Sequence, residues 1–147
     1  MSGIVLTTDF SDSSKRAFAP AVLLADSLGL PIQLVAVLED LPFEPTAGGL
    51  MATYPERGKI REDWEEKLKD VAKELGAKGE VKTHVLDAMD VPRAICEFAA
   101  KFGADYVAMA SHGRSGLRRL LLGSVAEEVL RHSHVPVIVF PPPLENA

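Results

Sequence analysis

Residues 111–124, SHGRSGLRRLLLGS, bring together glycines, hydroxyls and three arginines directly after the apolar run YVAMA. These are the ingredients of a phosphate site. Gly113 lets the chain turn, or lets another group approach closely. Gly123-Ser124 stands where a helix begins, so the unsatisfied amides of Ser124, Val125 and Ala126 would face outward with the positive end of the helix dipole. Ser111 and Ser124 add hydroxyls, and Arg114, Arg118 and Arg119 add local positive charge. The segment is not a P-loop, which needs a lysine after the glycine turn. A dinucleotide fingerprint would need GxGxxG after the first strand, where this chain reads TTDFSDSS. A purely structural reading stands beside the phosphate one: the glycines turn the chain, Ser124 is an N-cap, and Leu117 and Leu120 to Leu122 are core.

Other reactive side chains are weaker candidates. Ser111 beside His112 suggests a nucleophile and base, but sequence neighbours seldom point at one another and no carboxylate nearby is an obvious orienter. His132 and His134 lack a third metal ligand, and a surface loop accounts for them. Cys96 lies between apolar helix positions and reads as a buried, inert thiol.

The elements that must position these groups follow from periodicity. With 147 residues, 47% hydrophobic and 25% charged, the chain is sized and composed for one ordinary globular domain. Its net charge of −5 argues against broad nucleic-acid binding, which needs a surplus of Lys and Arg. No apolar run would span a bilayer and MSGIVLTTDF lacks a signal-peptide pattern, so a cytoplasmic protein with no membrane partner is expected.

GIVLTTD (3–9), IQLVAVL (32–38), DYVAMA (105–110) and VPVIVF (135–140) read as buried strands, and EVKTHVLD (80–87) alternates as a strand near a sheet edge. Between them lie four helices. The first runs from SDSS (11–14) to Gly29 with Phe18, Val22, Ala25 and Leu28 inward and Pro20 bending it. The second spans 56–75 with a stripe of Ile60, Trp64, Leu68, Val71 and Leu75. The third starts at Asp90 and buries Ile95, Phe98, Ala99 and Phe102. The last begins at Ser124 with Val125, Val129 and Leu130 inward. Residues 39–55, rich in proline and glycine, form a long loop of the functional or mobile kind. Alternating strands and helices predict an α/β domain with a parallel sheet, whose ligands sit at the carboxyl ends of the strands where the strand order reverses.

The stretch ASHGRSGLRRLLLGSVAEEVLRHSHVPVIV resembles the C-terminal signature of the universal stress protein family: Gly, two residues, Gly, nine residues, then Gly-Ser or Gly-Thr. Gly113, the nine residues from Arg114 to Leu122, and Gly123-Ser124 match it, and the resemblance begins at IVLTTDFSDSSKRA. It implies a single three-layer αβα domain over 1–143, Rossmann-like, with a five-stranded parallel sheet of order 3-2-1-4-5 and a short tail at 144–147. It also implies a homodimer paired through the last strand, Val135 to Phe140; as an apolar segment at a sheet edge, that strand would otherwise be an aggregation liability. Two positions depart from the pattern. Ala110 stands for the signature's first glycine, which a negative φ tolerates and a positive φ does not. Thr7 stands where nucleotide-binding members commonly have proline.

Carried over residue by residue, the resemblance implies an ATP site with Mg²⁺ held through the phosphates. Thr7, Thr8 and Asp9 would meet the adenosine, with Asp9 placed for the ribose or a bridging cation. Val37 would offer backbone to the adenine edge, and Met109 would pack near the base. Ala110 to Gly113, with Gly123, Ser124 and Val125, would hold the phosphates. Asp9 as a helix cap and Met109 as core remain open beside those roles. Hydrolysis would need a placed base or water, for which Asp9 and His112 alone are available, so turnover is expected to be slow or absent. The expected function is a nucleotide-dependent stress-response or signalling module; the rival is a family member that works through dimerisation and protein contacts without nucleotide.

Overall fold

The structure, a computed structural model, describes residues 3–39, 57–112 and 122–142. Gly113, the three arginines of 114–119, the loop from 40 to 56 and the tail at 144–147 therefore lie outside the described residues. In chain order the elements are β1 (Ile4–Thr7), α1 (Asp12–Lys15), α2 (Phe18–Leu28), β2 (Ile32–Glu39), α3 (Arg57–Glu74), β3 (Val81–Ala88), α4 (Val91–Phe102), β4 (Tyr106–Ala110), α5 (Ser124–His132) and β5 (Val137–Phe140). They form one five-stranded parallel sheet in the order β3-β2-β1-β4-β5, as the resemblance implies.

Successive residues of a strand point to opposite faces, so the apolar runs split into two cores. Ile4, Leu6 and Leu34 pack against α2 and α3, where Ala21, Ala25 and Leu68 close the layer. Val5, Val35 and Val107 pack against α4 and α5 through Ile95, Ala99 and Val129. Crossovers lie on one face for β1-β2-β3 and on the other for β3-β4-β5. Strand order thus reverses between β1 and β4, and a crevice opens beyond their carboxyl ends.

The two sheet edges differ. Along β3, Arg61 of α3 reaches across, donating from Nη2 to the Val85 carbonyl at 2.8 Å and pairing through Nη1 with Asp87, which Arg57 also contacts. An edge carbonyl held by a charged side chain is a poor template for strand addition. β5, apolar and half-buried, is the opposite edge.

Several helix expectations need correction. Pro20 does not bend a continuous helix; the chain breaks at Arg16-Ala17, whose amides bond three residues back to Ser13 and Ser14. That break places Pro20 in the first turn of α2, where its missing N–H leaves no gap. Leu28, Ile60, Phe102 and Leu130 were expected inward and are instead at least one-third exposed. Val22, Ala25, Leu68, Val71, Ile95, Ala99 and Val129 are buried as expected, and Ala21 of α2 and Ala126 of α5 join them, small residues that let the helices approach the sheet. The last strand begins at Val137 rather than Val135.

Candidate functional site

β1 ends at Thr7 and the chain then turns sharply. Phe10 has φ of 66°, the left-handed region that a bulky residue enters at a cost of about 1–3 kcal/mol. Local bonds hold it there. The Phe10 amide donates to Thr8 Oγ1 at 3.0 Å, its ring meets Trp64 edge-on with centroids 5.0 Å apart, and Lys67 Nζ lies 4.8 Å from its centroid. Ser14 Oγ donates to the Ser11 carbonyl at 2.8 Å, so Thr8 Oγ1 must be the donor in its 2.9 Å bond to Ser14 Oγ. The Thr8 hydroxyl is therefore occupied within the turn, donating once and accepting once.

Asp9 sits between this turn and the crevice. Its Oδ1 accepts from the Ser11 amide at 2.9 Å and from the Ser11 hydroxyl. Ser11 in turn caps α1, accepting from the Ser14 amide at 3.1 Å. The cap is Ser11, the first of the SDSS residues expected to supply it, rather than Asp9, which orients the cap from two residues upstream.

At β4 the strand stays regular to its end, with Ala110 paired to Phe140. Phe10 is the sole non-glycine residue with positive φ among the described residues, so Ala110 has the backbone that tolerates a methyl group. That methyl packs against the core on the α2 and α3 face, opposite Met109. Met109 is 5% exposed and belongs to the α4 and α5 core while also lining the crevice, so core and site are one position there.

Ser111 and His112 follow, each 6% exposed. Contrary to expectation the neighbours do meet: Ser111 Oγ lies 3.0 Å from His112 Nδ1. The bend after β4 turns both side chains inward. Among the described residues a hydrolytic triad is not formed, because none of their carboxylates orients the ring and Nε2 is buried without a partner there. A buried polar atom left unpaired costs about 1–3 kcal/mol.

α5 starts against this bend. The Gly123 amide donates to the Ser111 carbonyl at 2.7 Å, and Gly123, extended at φ −62° and ψ 157°, is the N-cap with no side chain to cap the first turn. By contrast α1 is capped by Ser11 and α4 by Asp90. Among the described residues no side chain caps the opening amides of α5, and Gly123, Ser124 and Val125 line the crevice.

These ends surround a cavity of about 460 Å³, within the size range of small-molecule sites. Thr7, Thr8 and Asp9 line it from β1, Val37 from β2, and Met109, Ala110, Ser111 and His112 from the end of β4. Gly123, Ser124 and Val125 line it from α5. All the site residues expected from sequence meet there except Gly113, which is outside the described residues. The sequence reading missed Ser14, Glu39, Trp64, Val91 and Ile95, which also line it. Trp64 and Ile95 carry the helical spacing of ordinary core positions, so no separate signal marked them.

Elsewhere the chemistry is quiet. Cys96 is half-buried, and burial pushes its thiol up, with Asp90 and Glu97 acting in the same direction. His132 pairs with Glu128 at 3.1 Å, and among the described residues no three His, Cys, Asp or Glu gather as metal ligands. No described helix is long and apolar enough to cross a membrane.

A doubly wound parallel domain with its cavity at the reversal point and an uncapped helix start beside it defines a class: the Rossmann-like nucleotide-site folds. Within that class the chain belongs to the universal stress protein family, whose profile matches residues 1–141. Over 142 residues it is 37% identical to universal stress protein MJ0531 of Methanocaldococcus jannaschii, covering 95% of this chain and 82% of that one. The solved structure of protein MJ0577 superposes with a TM-score of 0.78 at 26% identity, covering 92% of each chain. A universal stress protein solved in complex with cAMP superposes at 0.64 with 25% identity, covering 93% of this chain and 94% of that one.

Proposed function

We propose that the cavity binds an adenine nucleotide, ATP with Mg²⁺, and that the protein is a nucleotide-dependent module rather than an enzyme. The observation that carries this reading is the uncapped start of α5 beside Ser111 and His112, across one cavity from Asp9. Helix amides without a cap suit a phosphate, and the apolar wall of Val37, Met109 and Ile95 suits a base. Asp9 and Glu39 line the same cavity, so a polyphosphate nearby needs a cation between it and those carboxylates. The ligand of the cAMP-bound relative, itself an adenine nucleotide, agrees with the reading.

The experiment is to purify the protein without added nucleotide, denature it, identify any released ligand by mass spectrometry, and titrate ATP by calorimetry with and without Mg²⁺. A released adenine nucleotide or a Mg²⁺-dependent heat is the expected result. No released ligand and no heat at millimolar ATP would defeat the proposal.

Ala110 is expected to be neutral toward nucleotide. Ala110→Gly should leave ATP affinity within about twofold while lowering stability by roughly 0.5–1 kcal/mol, the cost of glycine in a strand. A large gain in affinity would show instead that the methyl group obstructs the phosphates.

A homodimer through β5 completes the proposal. Arg61 holds a carbonyl of the β3 edge, whereas β5 offers an apolar edge to a second copy. A monomer mass by light scattering at micromolar concentration would overturn it.

A further inference from the structure

We infer that Trp64 is a positioning residue of the ligand site: through the ring of Phe10 it fixes the Asp9 carboxylate at the cavity wall. This inference rests on the proposed nucleotide site and adds a residue of α3 to the groups that build it.

Phe10 stands between Asp9 and Ser11, so its φ decides whether the Ser11 amide and hydroxyl face the Asp9 carboxylate. At φ 66° they do, with the amide 2.9 Å from Oδ1. An L side chain left to itself favours negative φ, and rotation to that region would carry Ser11 away and release the carboxylate. Thr8 cannot follow, because its amide donates to the Val35 carbonyl at 2.9 Å and ties it to the sheet. The bond from the Phe10 amide to Thr8 Oγ1 precedes the rotating N–Cα bond and does not resist the change.

The resistance from outside the turn comes from α3. The Phe10 ring stands edge-on to Trp64, with centroids 5.0 Å apart and planes at 89°, and Lys67 Nζ lies 4.8 Å from its centre. Trp64 and Lys67 are three residues apart and share one face of the helix. That helix is itself anchored: Leu68 is fully buried in the core, and Arg61 Nη2 donates to the Val85 carbonyl at the β3 edge. Lys67 is exposed, whereas Trp64 is half-buried and lines the cavity together with Asp9. Phe10 is not among the lining residues, so removing its ring removes no ligand contact.

The test uses glycine, which adopts positive φ without a ring to hold it. Trp64→Ala, Phe10→Gly and the double variant are compared with wild type in the whole protein. ATP affinity is measured with and without Mg²⁺, and exchange of the Ser11 amide hydrogen is followed by NMR without nucleotide. Trp64→Ala should speed that exchange and weaken Mg²⁺-dependent ATP binding roughly threefold to tenfold, less than Asp9→Asn because it acts through that residue. In the double variant Phe10→Gly should slow the exchange again and return the affinity to within about twofold of wild type, a rescue that a merely structural tryptophan would not show. Unchanged Ser11 exchange in Trp64→Ala would overturn the inference and leave the nucleotide site standing. A loss of affinity that Phe10→Gly does not recover would also overturn it, marking Trp64 as a direct ligand contact instead. If the wild type binds no ATP, the proposed function fails and Ser11 exchange alone decides: faster in Trp64→Ala and slow again in the double variant supports the inference, and any other pattern refutes it. Should Trp64→Ala fail to fold, Trp64→Leu, which keeps apolar volume without an aromatic ring, takes its place with the same expectations.

Discussion

Gly123→Val is expected to abolish measurable ATP binding and to lower the melting temperature by roughly 3–9 °C, the equivalent of about 1–3 kcal/mol of overpacking in a domain of this size. Backbone strain is not the cause. At φ −62° and ψ 157° the residue is in a region open to every side chain. The obstacle is space: a Cβ here would lie 2.9 Å from the Ser111 carbonyl oxygen and 3.3 Å from His112 Cα. Both are backbone atoms, so neither can swing aside. The Gly123 amide also makes its 2.7 Å bond to that same carbonyl. A branched side chain must therefore push the start of α5 away from the end of β4, carrying the first-turn amides with it. The crowding acts on the bend that holds the phosphate site rather than on the phosphate space directly. Gly123→Ala should show a smaller version of both effects. Ser124→Ala, which removes a hydroxyl and keeps the backbone, should retain most of the affinity. Calorimetric titration together with a thermal melt checks all three. An ATP affinity for Gly123→Val within twofold of the wild type would remove the α5 terminus from the site.

The alternation of strand and helix was legible because strands buried on both faces read as unbroken apolar runs, IVL and VAMA among them. The strand order came from family resemblance, since parallel strands of similar composition carry no local mark of their neighbours. What escaped was anything decided by space between distant segments. Helical spacing put Ala25, Leu28 and Leu130 inward; Ala25 is buried, whereas Leu28 is exposed, and on α5 Ala126 takes the contact in place of Leu130 because the sheet surface admits a small residue there. The break between α1 and α2 depends on Ser11, Ser14 and Thr8 bonding one another, a network no single-residue preference encodes. The left-handed Phe10 was likewise invisible, because sequence preference argues against it and its ring finds its place against Trp64 and Lys67, both from the distant α3. At the site, residues adjoining strand ends were legible as polar stops after apolar runs. Trp64 and Ile95 were not, because a helix residue that lines a cavity has the same spacing as one that fills a core.

Asp9 separates turn-making from ligand-holding, because Asn and Ala remove different things. Its Oδ1 accepts from the Ser11 amide and the Ser11 hydroxyl, and Ser11 caps α1. Asp9→Asn keeps an oxygen at that place and removes the charge; Asp9→Ala removes both. Asp9→Asn should therefore lose less than about 1 kcal/mol of stability, whereas Asp9→Ala should lose about 1–3 kcal/mol, as for a lost cap or a broken charge-assisted hydrogen bond. ATP binding should sort differently. If the carboxylate meets the cation bound to the phosphates, both variants lose the Mg²⁺-dependent part of the affinity, roughly tenfold or more, and Asp9→Asn loses it with the fold intact. Denaturant unfolding beside ATP titrations with and without Mg²⁺ measures both quantities on the same protein. Full Mg²⁺-dependent affinity in Asp9→Asn would confine Asp9 to the turn. The cation would then be held through the phosphates alone or through Glu39, the other carboxylate described at the cavity wall.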